Sequence, residues 1–207
     1  MNEQIKLYFY NPTYRVKGER TIANGALYSN PLPLRWEEIK SIDEFLFRND
    51  ALLIVKYHPY EEEEKAETYR RFSNKVKNIL LLTSKELINH FISIYDLLPA
   101  SSFLITDYSS IYLDYLLLDK PILFFCPDFT EYNKTRGFIV EYDVLSDWMP
   151  GQITKKFEEL KSALKIYIEG SDDYRNSRSK ILRLYHRYKD PFSSRRVFKL
   201  VTYLLGE

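Results

Sequence analysis

Residues 95–115, YDLLPASSFLITDYSSIYLDY, decide the fold. The apolar run 102–106 stops abruptly at Asp107-Tyr108-Ser109-Ser110, and a helical pattern starts at once. Apolar run, polar turn and amphipathic run, in that order, describe a parallel strand feeding a helix in an α/β domain. The turn then sits at the carboxyl end of its strand, where open α/β sheets bind ligands. Ser109 and Ser110 fall at the mouth of the helix. There the first backbone N–H groups lack helical partners, and the dipole favours an anion. Two hydroxyls and free N–H groups make a phosphate seat. Asp114 follows Ser110 by four residues and shares its face. A carboxylate at that place would repel a phosphate, so it takes a hydroxyl or orients a neighbour. The plainer alternative leaves Ser109 as an N-cap only.

The same pattern recurs on either side. Apolar runs at 5–10, 51–57, 78–83 and 121–125 read as further strands. Helical spacing marks 36–48, a helix opening at 61–64, 86–94, and three closing helices near 153–169, 173–188 and 194–205. Segments 16–34, 126–132 and 141–151 read as loops. Five strands alternating with helices predict a doubly wound parallel sheet, Rossmann-like. The first strand runs into Asn11-Pro12-Thr13-Tyr14-Arg15, and the second stops at Lys56-Tyr57-His58-Pro59. Lys56 and His58 are two apart, so in extended backbone they point the same way. Together they could neutralise a diphosphate or protonate a departing phosphate. A capped strand end with a solvated Lys is the alternative. The acidic run 61–64 suits the helix dipole and reads as a solvated helix start, not a metal site.

These polar sets each follow a strand, so they gather along one sheet edge and suit a pyrophosphate guest. Cations, hydroxyls and a helix N-terminus stabilise a leaving phosphate without a metal or a cofactor. Composition sets the limits. The 207 residues suit one domain with a substantial core. Apolar residues at 45% and charged residues at 29% are an ordinary globular balance. A net charge of +1 argues against a nucleic-acid partner. The single cysteine, Cys126, leaves no disulfide within the chain and points to a reducing, cytoplasmic setting. No segment reads as a signal peptide or a membrane span. Arg187, Lys189, Arg195, Arg196 and Lys199 are either plain helix solvation or a peripheral contact with a membrane surface.

Residues 95–125, with LITDYSSIYLDYLLLDKPILFF at their heart, resemble the CDP-glycerol glycerophosphotransferase family, the teichoic acid polymerases and primases. The resemblance extends to NPTYR at 11–15, KYHP at 56–59, DFTEYNKTRGF at 128–138, PG at 150–151 and DPFSSRR at 190–196. It implies one half of a GT-B fold, with 1–207 a single donor-binding domain that includes the helices of 152–207. It also implies transfer of glycerol phosphate from CDP-glycerol to a polyol-phosphate acceptor, with CMP released. By motif, Pro12, Thr13, Lys56, His58, Ser109, Ser110 and Asp114 look like donor-contacting positions, His58 being the catalytic one. Arg15, Glu131 and Arg136 match family positions without a firm role. The family has Asp-Gly where this chain has Asp190-Pro191, and Pro cannot occupy a left-handed Gly position, so the turn there must differ.

The resemblance further implies a preceding acceptor-side domain with its own catalytic histidine, which this sequence lacks; a partner chain would then supply it. His90 and His186 do not match that histidine by position. Three readings remain open: a glycerophosphotransferase donor half, a non-catalytic CDP-alditol-binding module or remnant, and a transferase using CDP-ribitol or another nucleotide donor. A half-domain of this kind should expose an open apolar face.

Overall fold

The computed structural model describes residues 6–13, 30–135 and 145–206. Strand β1 (Lys6–Asn11) leads to helix α1 (Trp36–Arg48), then β2 (Ala51–Lys56), α2 (Pro59–Ser73) and β3 (Ile79–Leu82). Short helices α3 (Ser84–Asn89) and α4 (Ile94–Leu97) precede β4 (Phe103–Thr106), and α5 (Ile111–Tyr115) precedes β5 (Ile122–Phe125). Then follow α6 (Phe129–Thr135), α7 (Leu145–Trp148), β6 (Gln152–Thr154), α8 (Phe157–Ile168), α9 (Arg175–Tyr185) and α10 (Ser193–Leu205).

The six strands form one sheet in the order β3-β2-β1-β4-β5-β6, all pairs parallel. Alternation along the strands supplies two cores. Tyr8, Tyr10, Val55, Ile105 and Leu123 pack with α1, α2 and α8 on one face. Phe9, Ile54, Leu104, Ile122 and Phe124 pack with α5, α6 and α9 on the other. Helices on both faces leave no water beside β4 and β5, and every residue of those two strands is buried. Strand order reverses between β1 and β4. That switch point opens a crevice at the carboxyl ends of the central strands.

Several expected elements differ. Among the described residues the sheet has six strands rather than five. The helix expected from about 153 begins later, because Gln152–Thr154 pairs with β5 as a strand; three residues are too few to show an alternating pattern. Part of the expected loop 126–132 is α6, anchored by Phe129 at 5% exposure, and part of 141–151 is α7. The helix expected over 86–94 ends at Asn89 and restarts at Ile94. The acidic helix start is not wholly solvated: Glu61 is 3% exposed, and Glu62 forms a buried ion pair.

The last helices attach through charge and then lose contact. On α9, Arg178 is buried and pairs bidentately with Asp172, with Asp119 at 3.5 Å. Its guanidinium holds the Asp172 carboxyl below the usual carboxylate range. After Pro191 the turn is closed by Asp190, whose carboxylate accepts the Phe192 N–H at 2.8 Å and pairs with Arg196. That Asx-type closure needs no left-handed residue. Helix α10 buries no residue, and Val197, Phe198, Leu200, Leu204 and Leu205 are all more than half exposed.

Gly151 fixes the approach of β6 to β5. A Cβ added there would lie 2.0 Å from the Ile122 carbonyl oxygen, which is backbone and cannot turn aside. Gly151→Ala is expected to destabilise the domain by more than about 2 kcal/mol. Thermal unfolding of the variant beside Gly170→Ala, which meets nothing within 4 Å but has positive φ, checks that the loss comes from the close approach.

Candidate functional site

The crevice is built by the ends of three strands tied together by side chains. Asn11, last in β1, donates its amide to the Lys56 carbonyl at 2.7 Å. Thr106, last in β4, donates its hydroxyl to the Asn11 carbonyl at 2.7 Å. Past them lies Asp107, 4% exposed. Its Oδ1 accepts from the Thr13 amide at 2.7 Å and the Thr13 hydroxyl at 2.6 Å. The same oxygen accepts from the amides of Tyr108 at 2.6 Å and Ser109 at 3.2 Å. One carboxylate thus closes the turn after β4 and holds the turn after β1 against it. Charge-assisted bonds of this kind are roughly twice as strong as neutral ones.

A cleft of about 610 Å³ opens above these ties. It is lined by Pro12, Thr13, Lys56, His58, Ser109 and Ser110, with Asn11, Tyr57, Pro59, Ser84, Leu87, Ile94 and Tyr108 completing the wall. Six of the seven donor-contacting positions expected from sequence therefore meet in one place. The seventh, Asp114, lies one turn further along α5 and accepts from the Tyr95 hydroxyl at 3.0 Å. Glu131 is on α6, exposed and outside the cleft wall. Arg15 and Arg136 lie outside the described residues.

Two details change the chemistry. Lys56 and His58 do not share an environment. Lys56 is 6% exposed, and its ammonium donates to the Tyr57 carbonyl at 2.6 Å, Glu62 at 2.6 Å and Ser84 Oγ at 3.0 Å. Its three protons are thereby matched and its charge is largely answered by Glu62. His58, past the strand end, is exposed at the cleft. The serine turn differs too. The N-cap position belongs to Ser110, whose side chain makes no cap bond, and Asp107 takes the Ser109 N–H. Helix α5 has only five residues. The helix dipole behind the two serine hydroxyls is therefore short. The sequence marks Asp107 only as part of the polar turn; its place directly after an apolar strand and before two serines is the signal for its bracing role.

Beside the cleft, Tyr108 stacks on Tyr132 with ring centres 4.1 Å apart and donates to Asp128 at 3.2 Å. This aromatic wall keeps the turn's outer side rigid. His186 lies against the Leu113 carbonyl at 2.8 Å, and His90 is the exposed C-cap of α3. Neither reaches the cleft wall.

A parallel sheet with serine hydroxyls and a histidine at its switch-point cleft is suited to a phosphate-bearing guest. The family described as CDP-glycerol:poly(glycerophosphate) glycerophosphotransferase matches residues 2–203. The chain belongs to that family. Among its relatives, the teichoic acid ribitol-phosphate primase of Bacillus spizizenii is 30% identical over 75% of this chain and 34% of its own length. The teichoic acid glycerol-phosphate primase of the same organism is 32% identical over 70% of this chain and 32% of its own length. The chain thus spans about a third of these glycerophosphotransferase-family relatives. The structure of the wall teichoic acid polymerase TagF shares the fold, with a TM-score of 0.60 at 22% identity over 96% of this chain and 43% of that one.

Removing the carboxylate at 107 should orphan the amides and the hydroxyl it serves. Asp107→Ala is expected to cost roughly 2–4 kcal/mol, and Asp107→Asn less, because an amide oxygen still accepts. Urea unfolding of both variants measures the difference.

Proposed function

We propose that this domain binds a CDP-alditol through its diphosphate and forms the donor half of an alditol-phosphate transferase. The observation that supports it best is the convergence of Thr13, His58, Ser109 and Ser110 on one cleft at the switch point. The serine hydroxyls hold the diphosphate, and Thr13, tied to Asp107, shapes the edge of the seat. His58, the exposed titratable group of the cleft, serves the phosphate that leaves. An acceptor hydroxyl forms a new P–O bond to the phosphorus bearing the alditol, and the bridging P–O bond breaks. The electron pair of that bond leaves with CMP, and His58 supplies the balancing proton. The acceptor hydroxyl's proton goes to a base on the acceptor-side domain. Lys56, held by Glu62 and Ser84, acts as a brace that sets the strand end carrying His58.

The acceptor in this reading is an anionic polyol-phosphate chain, held by a second domain or a partner chain. The named relatives include both a ribitol-phosphate and a glycerol-phosphate primase, so the alditol length stays open between CDP-glycerol and CDP-ribitol. The apolar face of α10 fits the acceptor-side domain, and Arg195 and Lys199 on its opposite side fit an anionic membrane surface. Among the described residues no helix is long and apolar enough to cross a membrane. Co-sedimentation with vesicles carrying anionic lipid, and its loss in Arg195→Glu/Lys199→Glu, tests the surface contact; equal pelleting of wild type and variant would dismiss it.

Calorimetric titration tests the central reading. CDP-glycerol or CDP-ribitol should release heat with this domain, and UDP-glucose should not. His58→Ala and Ser110→Ala should each weaken the CDP-alditol by about tenfold or more. Unchanged affinity in both variants would place the donor elsewhere. Heat with none of the three ligands favours the reading of a remnant.

A further inference from the structure

Among the described residues that line the cleft, Lys56 is the one with a permanent charge. A bare ammonium in that wall would be a natural partner for a diphosphate. In this chain the ammonium already has partners. Its Nζ donates to the Tyr57 carbonyl and to Glu62 Oε1, each at 2.6 Å, and to Ser84 Oγ at 3.0 Å. The Lys56 and Glu62 side chains are only 7% and 10% exposed. Little water screens such a pair, so the carboxylate cancels much of the field that the cation would otherwise send into the cleft.

Glu62 is itself held in place. Its second oxygen, Oε2, accepts the Ser84 N–H at 2.8 Å. Both carboxylate oxygens are thus fixed, from α2, on two residues of the cleft wall, Lys56 and Ser84. The carboxylate is not part of the lining. It therefore offers a ligand no contact of its own and acts on one through the ammonium. The effect on chemistry follows from the reaction proposed above. A phosphate is bound before the transfer and another departs after it. A site that grips both strongly gains nothing in turnover, because only interactions that strengthen in the transition state speed the reaction. A muted cation leaves the grip to the serine hydroxyls and His58.

We infer that Glu62 is a positioning residue that masks the Lys56 ammonium and so sets how tightly the cleft holds a phosphate. The inference rests on the donor-binding reading above. It adds to that reading a residue of α2 that lies outside the sequence motifs, and it gives the buried pair an electrostatic role besides bracing the strand end.

Titration of the full chain with inorganic pyrophosphate and with CDP-glycerol tests it. Glu62→Gln keeps the shape and one acceptor oxygen and removes the charge. It should tighten both ligands by about tenfold, and their affinity should fall more steeply with added salt, because the Lys56 charge is then unanswered. Lys56→Gln leaves the Glu62 charge behind the cleft without its partner and should weaken both ligands by a similar factor. In Lys56→Gln/Glu62→Gln neither charge is left alone, and most of that loss should be recovered. A merely structural clamp would weaken binding in both single variants. The inference is overturned if Glu62→Gln binds pyrophosphate no more tightly than wild type does. Should Glu62→Gln fail to fold with Lys56 unpaired, the double variant decides: recovery supports the inference, and binding no better than that of Lys56→Gln overturns it. Absence of CDP-glycerol heat from wild type and every variant removes the donor-binding reading and this one with it, whereas normal wild-type binding with an untightened Glu62→Gln removes this one alone.

Discussion

The Asp107 carboxylate is the constraint on which the cleft depends. Four donors from two distant turns end on one of its oxygens. Sheet pairing brings β1 and β4 side by side, but it stops at Asn11 and Thr106. Beyond those residues the Asp107 side chain ties the two turns together. A residue without an acceptor would leave these amides unmet, at about 1–3 kcal/mol each. Because Asp107 meets the structural demand of the turn, the hydroxyls of Ser109 and Ser110 are released from capping and face the cleft.

A second division of labour runs through the end of β2. Sequence spacing places Lys56 and His58 as a matched pair of cations. The fold separates them by burial. Lys56 joins Glu62 and Ser84 in a low-dielectric corner that links β2, α2 and α3, while His58 stays in contact with solvent. Burying a charge demands a partner, and the acidic helix start provides it. An acid run that reads as solvation is in part the counter-ion of the strand beside it.

Much of this was legible in the residues. The apolar run before TDYSS, the continuous apolar β2 and the periodic α1 each follow one physical rule, and each falls within a residue or so of its expected bounds. The polar sets after three strands were legible because a parallel sheet delivers every strand's carboxyl end to one edge. What was hidden depended on partners far away. Gln152–Thr154 is a strand only because β5 offers an edge, and Phe129 starts a helix only because the Tyr108 ring gives it something to pack against.

The place of β1 in the sheet has a kinetic consequence. The first described strand becomes one of the two central ones, paired with β2 about 45 residues later and with β4 about 95 residues later. During synthesis one edge of β1 has no partner until Phe103–Thr106 has emerged. Each long closure loses chain entropy before the sheet contacts return it, so the rate of folding is governed by non-local pairing. Tyr8, Phe9 and Tyr10, all buried in the finished sheet, are exposed throughout that interval. The segment that anchors the mature core is therefore also the nascent chain's principal hazard for aggregation.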